Sequence, residues 1–177
     1  MPSHTISVQV ENEFGVLARV AGLFSSRGYN IESLTVNEDP LDPTLSRITL
    51  VTSGDEQVLE QINKQLNKLV SVIKVTDFKD IDAIDREMVL IKVAVDERNR
   101  SELDAIVAAF RAHVVDIGPK STTIEVTGDQ DKIRAFFGLV RPLGIREMVR
   151  SGKIAMARSV QLGNGNHNHR RTKETSG

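Results

Sequence analysis

The stretch TISVQVENEFGVLARVAGLFSSRGYNIESLTVN, residues 5–37, decides the fold of this chain. Its first seven residues alternate between apolar and polar side chains, which predicts a strand with one buried face. Gly28 marks the end of a helix, because glycine adopts a positive φ without steric cost, and residues 29–37 predict a second strand. The helix between the strands carries its apolar residues at the i, i+3, i+4, i+7 spacing of one helical face, namely Leu17, Val20, Ala21 and Phe24.

Three further elements are predicted before residue 79. Residues 39–43 contain two prolines and predict a turn, and a strand follows with Ile48 and Leu50 on one face. Residues 53–55, Ser-Gly-Asp, offer a helix cap, and residues 70–78 predict a fourth strand. The apolar stripe of the second helix consists of Val58, Leu59, Ile62, Leu66 and Leu69.

The second half of the chain repeats this order of elements, although the two halves share only the pattern. The acidic residues 80–86 (DIDAIDR) have no period and predict a linker. Beyond it, the patterns predict a strand through Val89, Ile91, Val93 and Val95, a helix through Leu103, Ile106, Val107 and Phe110, a hairpin of residues 114–118 and 122–127, a helix through Ile133, Phe136, Phe137 and Val140, and a last strand within residues 145–157.

Both halves fit the α+β class, as two ferredoxin-like βαββαβ units with two helices on one face of a four-stranded antiparallel sheet. We expect a first domain at residues 4–78, a linker at 79–86, a second domain at 87–160 and a mobile tail at 161–177, which has no apolar period. The second strand of the first unit is expected at a sheet edge, where pairing with a second copy would cover it.

Composition excludes several classes of function. The chain has 177 residues, 40% of them hydrophobic, and a net charge of −1, unlike a nucleic-acid-binding protein that depends on overall positive charge. It has no cysteine, which excludes thiolate metal sites and cysteine nucleophiles. The N-terminus lacks the features of a signal peptide, and no apolar run approaches the ~18 residues of a membrane span. We expect a cytoplasmic protein that binds neither membrane nor nucleic acid.

Side chains suited to catalysis or metal binding are few and scattered. His4 and His113 have no Ser, Asp or Glu partner beside them in sequence, which favours surface or strand-end positions over a general base. His167 and His169 fall in the expected tail. We interpret Asp77, Asp80, Asp82 and Asp85 as a solvated charge run. The sequence therefore favours a protein without catalytic residues and without a metal site.

Residues 12–17 (NEFGVL), which join the first strand to the first helix, are the informative segment. Gly15 places no side chain at the start of the helix, so a carboxylate can approach free N–H groups at the positive end of the helix dipole. Asn12 and Asn30 flank the helix with amides that donate and accept hydrogen bonds. This chemistry indicates a free amino acid as ligand. In the alternative interpretation, Asn12 caps the helix and Gly15 relieves a tight turn.

A family resemblance adds to this interpretation. Residues 10–36, VENEFGVLARVAGLFSSRGYNIESLTV, closely resemble the amino-terminal ACT domain of the regulatory small subunit of acetolactate (acetohydroxyacid) synthase, and residues 42–75 resemble its continuation. Weaker similarity in REMVLIKV, VVDIGP and RSGKIAMARS extends the resemblance almost to residue 160. The loop carries Phe14 where many relatives have a small residue and Ala18 where some have Ser, which leaves the effector preference open.

The resemblance implies a homodimer through the ACT domain and a branched-chain amino acid, chiefly valine, bound at the interface. It assigns effector binding to Asn12, Gly15, Val16 and Leu17, which face Asn30 and Ile31 of the partner subunit. It also implies a complex with the catalytic large subunit, which the small subunit activates and makes sensitive to feedback inhibition. That enzyme converts pyruvate to 2-acetolactate, the first common step of valine, leucine and isoleucine biosynthesis.

Thiamine diphosphate, Mg²⁺ and FAD belong to the catalytic partner in this family, so no cofactor is expected in this chain. The second domain has no comparable glycine loop, since its first connection reads DERNRS at residues 96–101. We assign that domain to contact with the catalytic subunit.

Two other functions are alternatives to a regulatory subunit. A free-standing ACT-domain sensor would bind an amino acid but act on a different enzyme. An RNA-recognition motif has the same order of elements, but it needs exposed aromatic residues on its first and third strands for base stacking. Here those strands read TISVQVE and SRITLVT, without an aromatic residue, which argues against RNA binding.

Overall fold

The computed structural model describes residues 3–159, so the tail expected at residues 161–177 lies outside the described residues. The first unit consists of β1 (Ser3–Glu11), α1 (Val16–Ser26), β2 (Ile31–Glu38), β3 (Leu45–Ser53), α2 (Glu56–Asn67) and β4 (Val72–Asp77). Every strand and helix that the sequence predicts for this unit is present, in the predicted order.

The strands of the first unit form one antiparallel sheet in the order β2-β3-β1-β4. Val8 lies near its centre, opposite Ile48 of β3 on one side and Val75 of β4 on the other. β2 is at an edge of the sheet, as predicted. The two helices pack on one face, and the buried core between helices and sheet consists of Ile6, Val8, Val10, Val16, Val20, Phe24, Ile48, Leu50, Leu59, Ile62 and Leu66.

The signals at the helix ends act as predicted. Gly28 has a φ of +72°, and the N–H of Tyr29 donates to the carbonyl of Phe24 at 2.9 Å, which closes the end of α1. The side chain of Asp55 accepts the N–H of Val58 at 2.9 Å and caps α2.

The buried face of α1 differs from the predicted stripe. Val16, Val20 and Phe24 are buried, whereas Leu17 is 41% exposed. The prediction is wrong at Leu17, whereas Val20 and Phe24 are buried as predicted. Val16, Val20 and Phe24 form one i, i+4, i+8 row against the sheet, and a helix turns through about 100° per residue, which carries Leu17 away from this row. Leu17 therefore remains at the surface.

The second unit consists of β5 (Ala83–Ala94), α3 (Arg100–Ala109), β6 (His113–Ile117), β7 (Ser121–Gly128), α4 (Gln130–Gly144), β8 (Ile145–Arg150) and β9 (Ile154–Ala157). Its sheet has the order β6-β7-β5-β8, and β9 pairs with the first four residues of β5. The buried core consists of Val89, Ile91, Val93, Val95, Leu103, Ile106, Ala112, Ile124, Val126, Ile133, Phe136 and Val140. The repeated βαββαβ order is confirmed.

Two predicted boundaries in the second half are corrected by the strand pairing. β5 begins at Ala83, so the second half of the segment 79–86, expected as a linker, is strand. The single last strand expected within residues 145–157 is two strands, β8 and β9, separated by residues 151–153. Gly152 has a φ of +86°, a conformation that ends an extended strand, and the period of two on either side of it gives no sign of the break.

The two units contact each other through the helix-free face of the first sheet. Thr49 and Val51 are 3% and 6% exposed, although alternation along β3 directs them away from the helices. The turn of residues 151–153 lies on this face, where the Thr35 hydroxyl donates to the carbonyl of Lys153 at 2.6 Å. β3 is therefore buried on both faces.

The predictions for the histidines and for the acidic run are partly wrong. His4 lies at the start of β1, but it is 8% exposed, and its Nε2 has no hydrogen-bond partner within residues 3–159. His113 begins β6 with an exposed side chain. The acidic run is not solvated throughout, because Asp85 pairs with Lys153 at 2.9 Å. No helix of the described chain combines the length and apolarity needed to cross a membrane.

Candidate functional site

The corner between β1 and α1 is built around Gly15. This residue precedes α1 with φ +83° and ψ −4°, in the left-handed region that L-residues with a Cβ adopt only at a cost of about 1–2 kcal/mol. A Cβ added there would approach only Nη2 of Arg19, at 3.9 Å. The backbone conformation, and not a shortage of space, therefore requires glycine at this position.

The corner leaves the start of α1 open. Gly15 supplies no capping side chain, and the N–H of Val16 makes a long hydrogen bond of 3.4 Å to the carbonyl of Glu13. Within residues 3–159, the N–H groups of Leu17 and Ala18 have no acceptor. They lie at the positive end of an 11-residue helix, and such groups bind a carboxylate.

Asn12 holds the corner from the other side. Its side-chain Nδ2 donates to Oε2 of Glu38 at 3.2 Å and to the carbonyl of Pro43 at 3.0 Å, and its backbone N–H donates to the carbonyl of Thr44 at 2.7 Å. Asn12 does not cap α1, so that part of the alternative is wrong, whereas the left-handed conformation of Gly15 agrees with its other part, a glycine that relieves a tight turn. Its side chain instead joins the corner to the end of β2 and to the β2–β3 turn.

The β2–β3 turn is itself held by Asp42. Its carboxylate accepts the hydroxyl of Thr44 at 2.5 Å and the N–H of Thr44 at 3.0 Å. These hydrogen bonds hold the pKa of Asp42 below its ordinary value. A turn fixed in this way gives Asn12 a fixed carbonyl partner at Pro43.

Asn30 and Ile31 lie at the opposite end of α1 from the corner. An 11-residue helix rises about 16 Å, so a single chain does not bring these two residues to Gly15. The carbonyl of Asn30 accepts the Thr52 hydroxyl at 2.7 Å, and its side chain is exposed. Ile31, the first residue of β2, is half-buried.

The edge of β2 is uncovered. Within the described chain, β2 pairs only with β3, so its outer edge carries unpaired backbone groups. In the β2–β3 register, Leu34 lies opposite Leu50 and Val36 lies opposite Ile48. Both β2 side chains are therefore on the helix-covered face of the sheet. They are nevertheless 38% and 39% exposed. An edge of this kind is a template for pairing with another chain.

Arg19 was not among the candidate residues, although it lies one helical turn after Gly15. Its Nη1 donates to the Ser71 hydroxyl at 3.2 Å, and its Nη2 is the atom 3.9 Å from the position of a Cβ on Gly15. The guanidinium therefore places a positive charge beside the open start of α1. The i+4 spacing from the glycine was the signal in the sequence that could have identified it.

The corresponding loop of the second unit is held by its own side chains. The Asp96 carboxylate accepts the N–H groups of Arg98 and Asn99 at 2.8 and 3.1 Å, and the Asn99 side chain accepts the N–H of Asp96 at 2.9 Å. These hydrogen bonds hold the loop before α3, and no glycine opens it. In residues 3–159, no group of three or more His, Cys, Asp or Glu side chains has an arrangement that could hold a metal ion.

A βαββαβ unit with an exposed edge strand and a glycine-opened corner before its first helix is the arrangement expected of an ACT domain. Residues 6–74 match the family model described as an AHAS small subunit-like ACT domain, where AHAS denotes acetohydroxyacid synthase. Residues 86–159 match the model described as the small subunit of acetolactate synthase.

The chain belongs to the acetolactate synthase small-subunit family. It is 52% identical over 155 residues to the "Probable acetolactate synthase small subunit" of Archaeoglobus fulgidus, an alignment that covers 88% of this chain and 96% of that one. It is 48% identical over 160 residues to the acetolactate synthase small subunit of Aquifex aeolicus, with 90% and 83% covered.

A solved structure gives the same result. The crystal structure of the acetolactate synthase small subunit from Thermotoga maritima superposes with a TM-score of 0.80 and 38% identity, over 91% of this chain and 100% of that one. The family resemblance and the α+β fold of two units are confirmed, and membership of this family makes the chain a regulatory, non-catalytic subunit.

Proposed function

We propose that this chain binds a branched-chain amino acid, chiefly valine, at an ACT-domain dimer interface and thereby controls the catalytic large subunit of acetolactate synthase. The large subunit, with its thiamine diphosphate, Mg²⁺ and FAD, performs the chemistry in the cytoplasm. This chain activates it and confers feedback inhibition. The observation that carries the proposal is the position of two half-sites, the Gly15 corner and the pair Asn30 and Ile31. One lies at each end of α1, and both are beside the unpaired edge of β2.

Pairing of two β2 strands explains how the half-sites meet. If a twofold axis passes between Leu34 and Thr35, antiparallel pairing places Ile31 of one copy opposite Glu38 of the other, since 31 and 38 are equally distant from that axis. Glu38 already holds Asn12 of its own chain. Asn30 of the partner subunit would then face the Gly15 corner, and the interface would cover Leu34 and Val36.

The chemistry of the combined site suits a zwitterionic amino acid. The N–H groups of Leu17 and Ala18, with Arg19 beside them, attract the carboxylate. The amide oxygen of Asn30 of the partner subunit accepts from the ammonium group. The exposed side chain of Leu17 and the half-buried Ile31 of the partner subunit supply apolar surface, and burial of a branched side chain there is worth about 1.5–3 kcal/mol.

The second unit is proposed to contact the large subunit. Its loop at Asp96–Asn99 has no glycine and is held by its own hydrogen bonds, which supports a role other than effector binding. Its helix-free sheet face carries the large apolar side chains of Met88, Leu90 and Val149, which are 41%, 37% and 56% exposed. An exposed apolar group of this size is typical of a protein–protein contact.

Reconstitution tests the proposal directly. The purified chain is added to the cognate large subunit, and pyruvate consumption is followed with and without valine, leucine or isoleucine. We expect a higher rate on addition of the chain and a lower rate when valine is then added. Amino-acid binding by the isolated chain with no effect on the large subunit would instead identify a sensor that acts on a different enzyme.

A further inference from the structure

The edge strand β2 is attached on its helix-free face to the turn that joins β8 and β9. The Thr35 hydroxyl donates to the carbonyl of Lys153 at 2.6 Å, and the N–H of Lys153 donates to the Ser33 hydroxyl at 3.3 Å. Both backbone polar groups of one residue in the second unit are thus bound by two alternate side chains of one strand in the first. We define residues 151–153 as the docking turn.

The docking turn lies flat on β2 because of Gly152. A Cβ added to this residue would meet the Ser33 hydroxyl at 3.1 Å, Cγ2 of Thr35 at 3.3 Å and the carbonyl oxygen of Leu34 at 3.6 Å. Its φ of +86° is also unfavourable for any residue with a Cβ. The backbone of the docking turn therefore lies directly on β2. A displacement of β2 moves the turn with it.

The docking turn is equally fixed to the second unit. The N–H of Ser151 donates to the carbonyl of Met88 at 3.0 Å, and the Ser151 hydroxyl accepts the N–H of Met88 at 3.0 Å. The Lys153 ammonium, on a side chain only 14% exposed, pairs with Asp85 at 2.9 Å. Both partners lie on β5, the strand that also pairs with β7, β8 and β9.

We infer that Ser33 and Thr35 are positioning residues that transmit effector binding at β2 to the second unit through the docking turn. This inference rests on the proposed function. Ser33 follows the proposed site residue Ile31 by two positions, and the β2–β3 register shifts between these two residues, so β2 has an irregular segment between the site and the contact. A ligand that favours one arrangement of β2 thereby favours one placement of β5.

The test compares the wild-type chain with a Ser33→Ala/Thr35→Val variant, which removes both hydroxyls with little change of shape. The matched control is Thr76→Val on β4, the opposite edge of the same sheet, where Thr76 lies opposite Ser7. Each chain is assayed with the large subunit for activation and for half-inhibition by valine, and alone for valine affinity by calorimetry. Hydrogen exchange of β5 amides with and without valine gives a readout that does not depend on activity.

We expect the double variant to activate the large subunit and to bind valine within about 3-fold of wild type, while half-inhibition needs at least about 10-fold more valine. Valine should slow β5 exchange in wild type and in Thr76→Val, but not in the double variant. Inhibition of the double variant at the wild-type concentration would overturn the inference. A parallel loss of valine affinity would also overturn it, since the hydroxyls would then shape the site. A wild-type complex indifferent to every branched-chain amino acid would refute the proposed function itself, and the inference with it.

Discussion

The side-chain amide of Asn12 donates to the carboxylate of Glu38 at 3.2 Å and so joins the corner before α1 to the last residue of the edge strand β2. The two residues are 26 positions apart in sequence. Because β2 is the strand proposed to form the dimer, this hydrogen bond gives the corner a direct dependence on the interface. The loop before α1 and the edge strand β2 are therefore held together by this hydrogen bond.

Replacement of Asn12 tests this connection. We expect Asn12→Ala to lower the free energy of unfolding by about 0.5–1.5 kcal/mol, since exposed hydrogen bonds are lost, and to weaken valine binding about 10-fold because the corner is no longer held to β2. The control is Asn67→Ala in α2, which removes a side-chain hydrogen bond of 2.8 Å to the carbonyl of Asn63. Equal valine affinities of the two variants in calorimetry would contradict the connection.

Two glycines of the same region should respond in opposite directions to alanine. Gly15→Ala is expected to destabilise the chain by about 1–2 kcal/mol, because φ is +83° at this position. Gly22→Ala, within α1, meets nothing within 4 Å of the added Cβ and should stabilise the chain by about 0.5–1 kcal/mol. Urea unfolding measures both changes. A stable Gly15→Ala protein would show that the corner relaxes to another conformation.

The buried carboxylate of Glu87 should depend on Arg150. Glu87 is 6% exposed, and its two oxygens accept Nε and Nη2 of Arg150 at 2.8 and 2.5 Å. Arg150→Met leaves the carboxylate buried without its partner, and since Arg150 is half-exposed we expect a loss of about 1–3 kcal/mol. A Glu87→Met/Arg150→Met double variant should recover most of this loss, and failure to recover would show that the surrounding groups require the charge.

The same pair predicts how that loss varies with pH. The hydrogen bonds that Arg150 donates to the Glu87 carboxylate raise the pKa of Arg150. A raised pKa on a base contributes stability that is present below the unfolded value and is lost only as the pH rises through the folded value, far above neutrality. The difference between wild type and Arg150→Met should therefore be constant between about pH 8 and pH 10, above the range in which the unpaired carboxylate of the variant takes up a proton. A steep change in that interval, measured by urea unfolding, would contradict this assignment.

The sequence predicted what depends on local periodicity. The alternation at Ile6, Val8 and Val10 and the stripe at Leu59, Ile62 and Leu66 placed strand and helix in register with a common core, and the residues concerned are all buried. Glycine and aspartate at the helix ends predicted the boundaries because their effect is local.

What the sequence missed depends on contacts between distant residues. The break before β9 follows from the packing of Gly152 against Ser33. Lys153 and Asp85 pair although they lie 68 positions apart. For the candidate site, the corner itself was predicted from its residues, but one chain leaves Asn30 at the far end of α1, so the assembly of the site stays a prediction.

Dimerisation through β2 is tested by a charge on the uncovered edge. Leu34→Lys would bury an ammonium group in the proposed interface, and we expect the dimer to dissociate at least about 100-fold more readily. Leu41→Lys is the control, because Leu41 is 94% exposed in the β2–β3 turn and lies outside the strand. Sedimentation equilibrium measures both. A dimer of unchanged stability in the Leu34 variant would place the interface elsewhere on the chain.

If the site is shared between two copies, two variants that each fail to bind valine should complement each other. Leu17→Glu places a carboxylate at the open start of α1. This charge interacts favourably with the positive end of the helix dipole, but it repels the carboxylate of the ligand. Asn30→Ala removes the polar group contributed by the partner subunit. Each variant alone should fold and bind no valine, since every site in its homodimer contains one defect.

Mixed and allowed to exchange subunits, equal amounts of these two variants should regain binding. A heterodimer has one site with both defects and one with neither, because the intact corner of the Asn30→Ala chain faces the intact Asn30 of the other copy. Random exchange gives half heterodimers, so about a quarter of the wild-type binding capacity should return, with wild-type affinity, in calorimetry of the mixture. A mixture that binds no valine would mean that each site lies within one chain, whereas valine binding by either homodimer would remove that residue from the site.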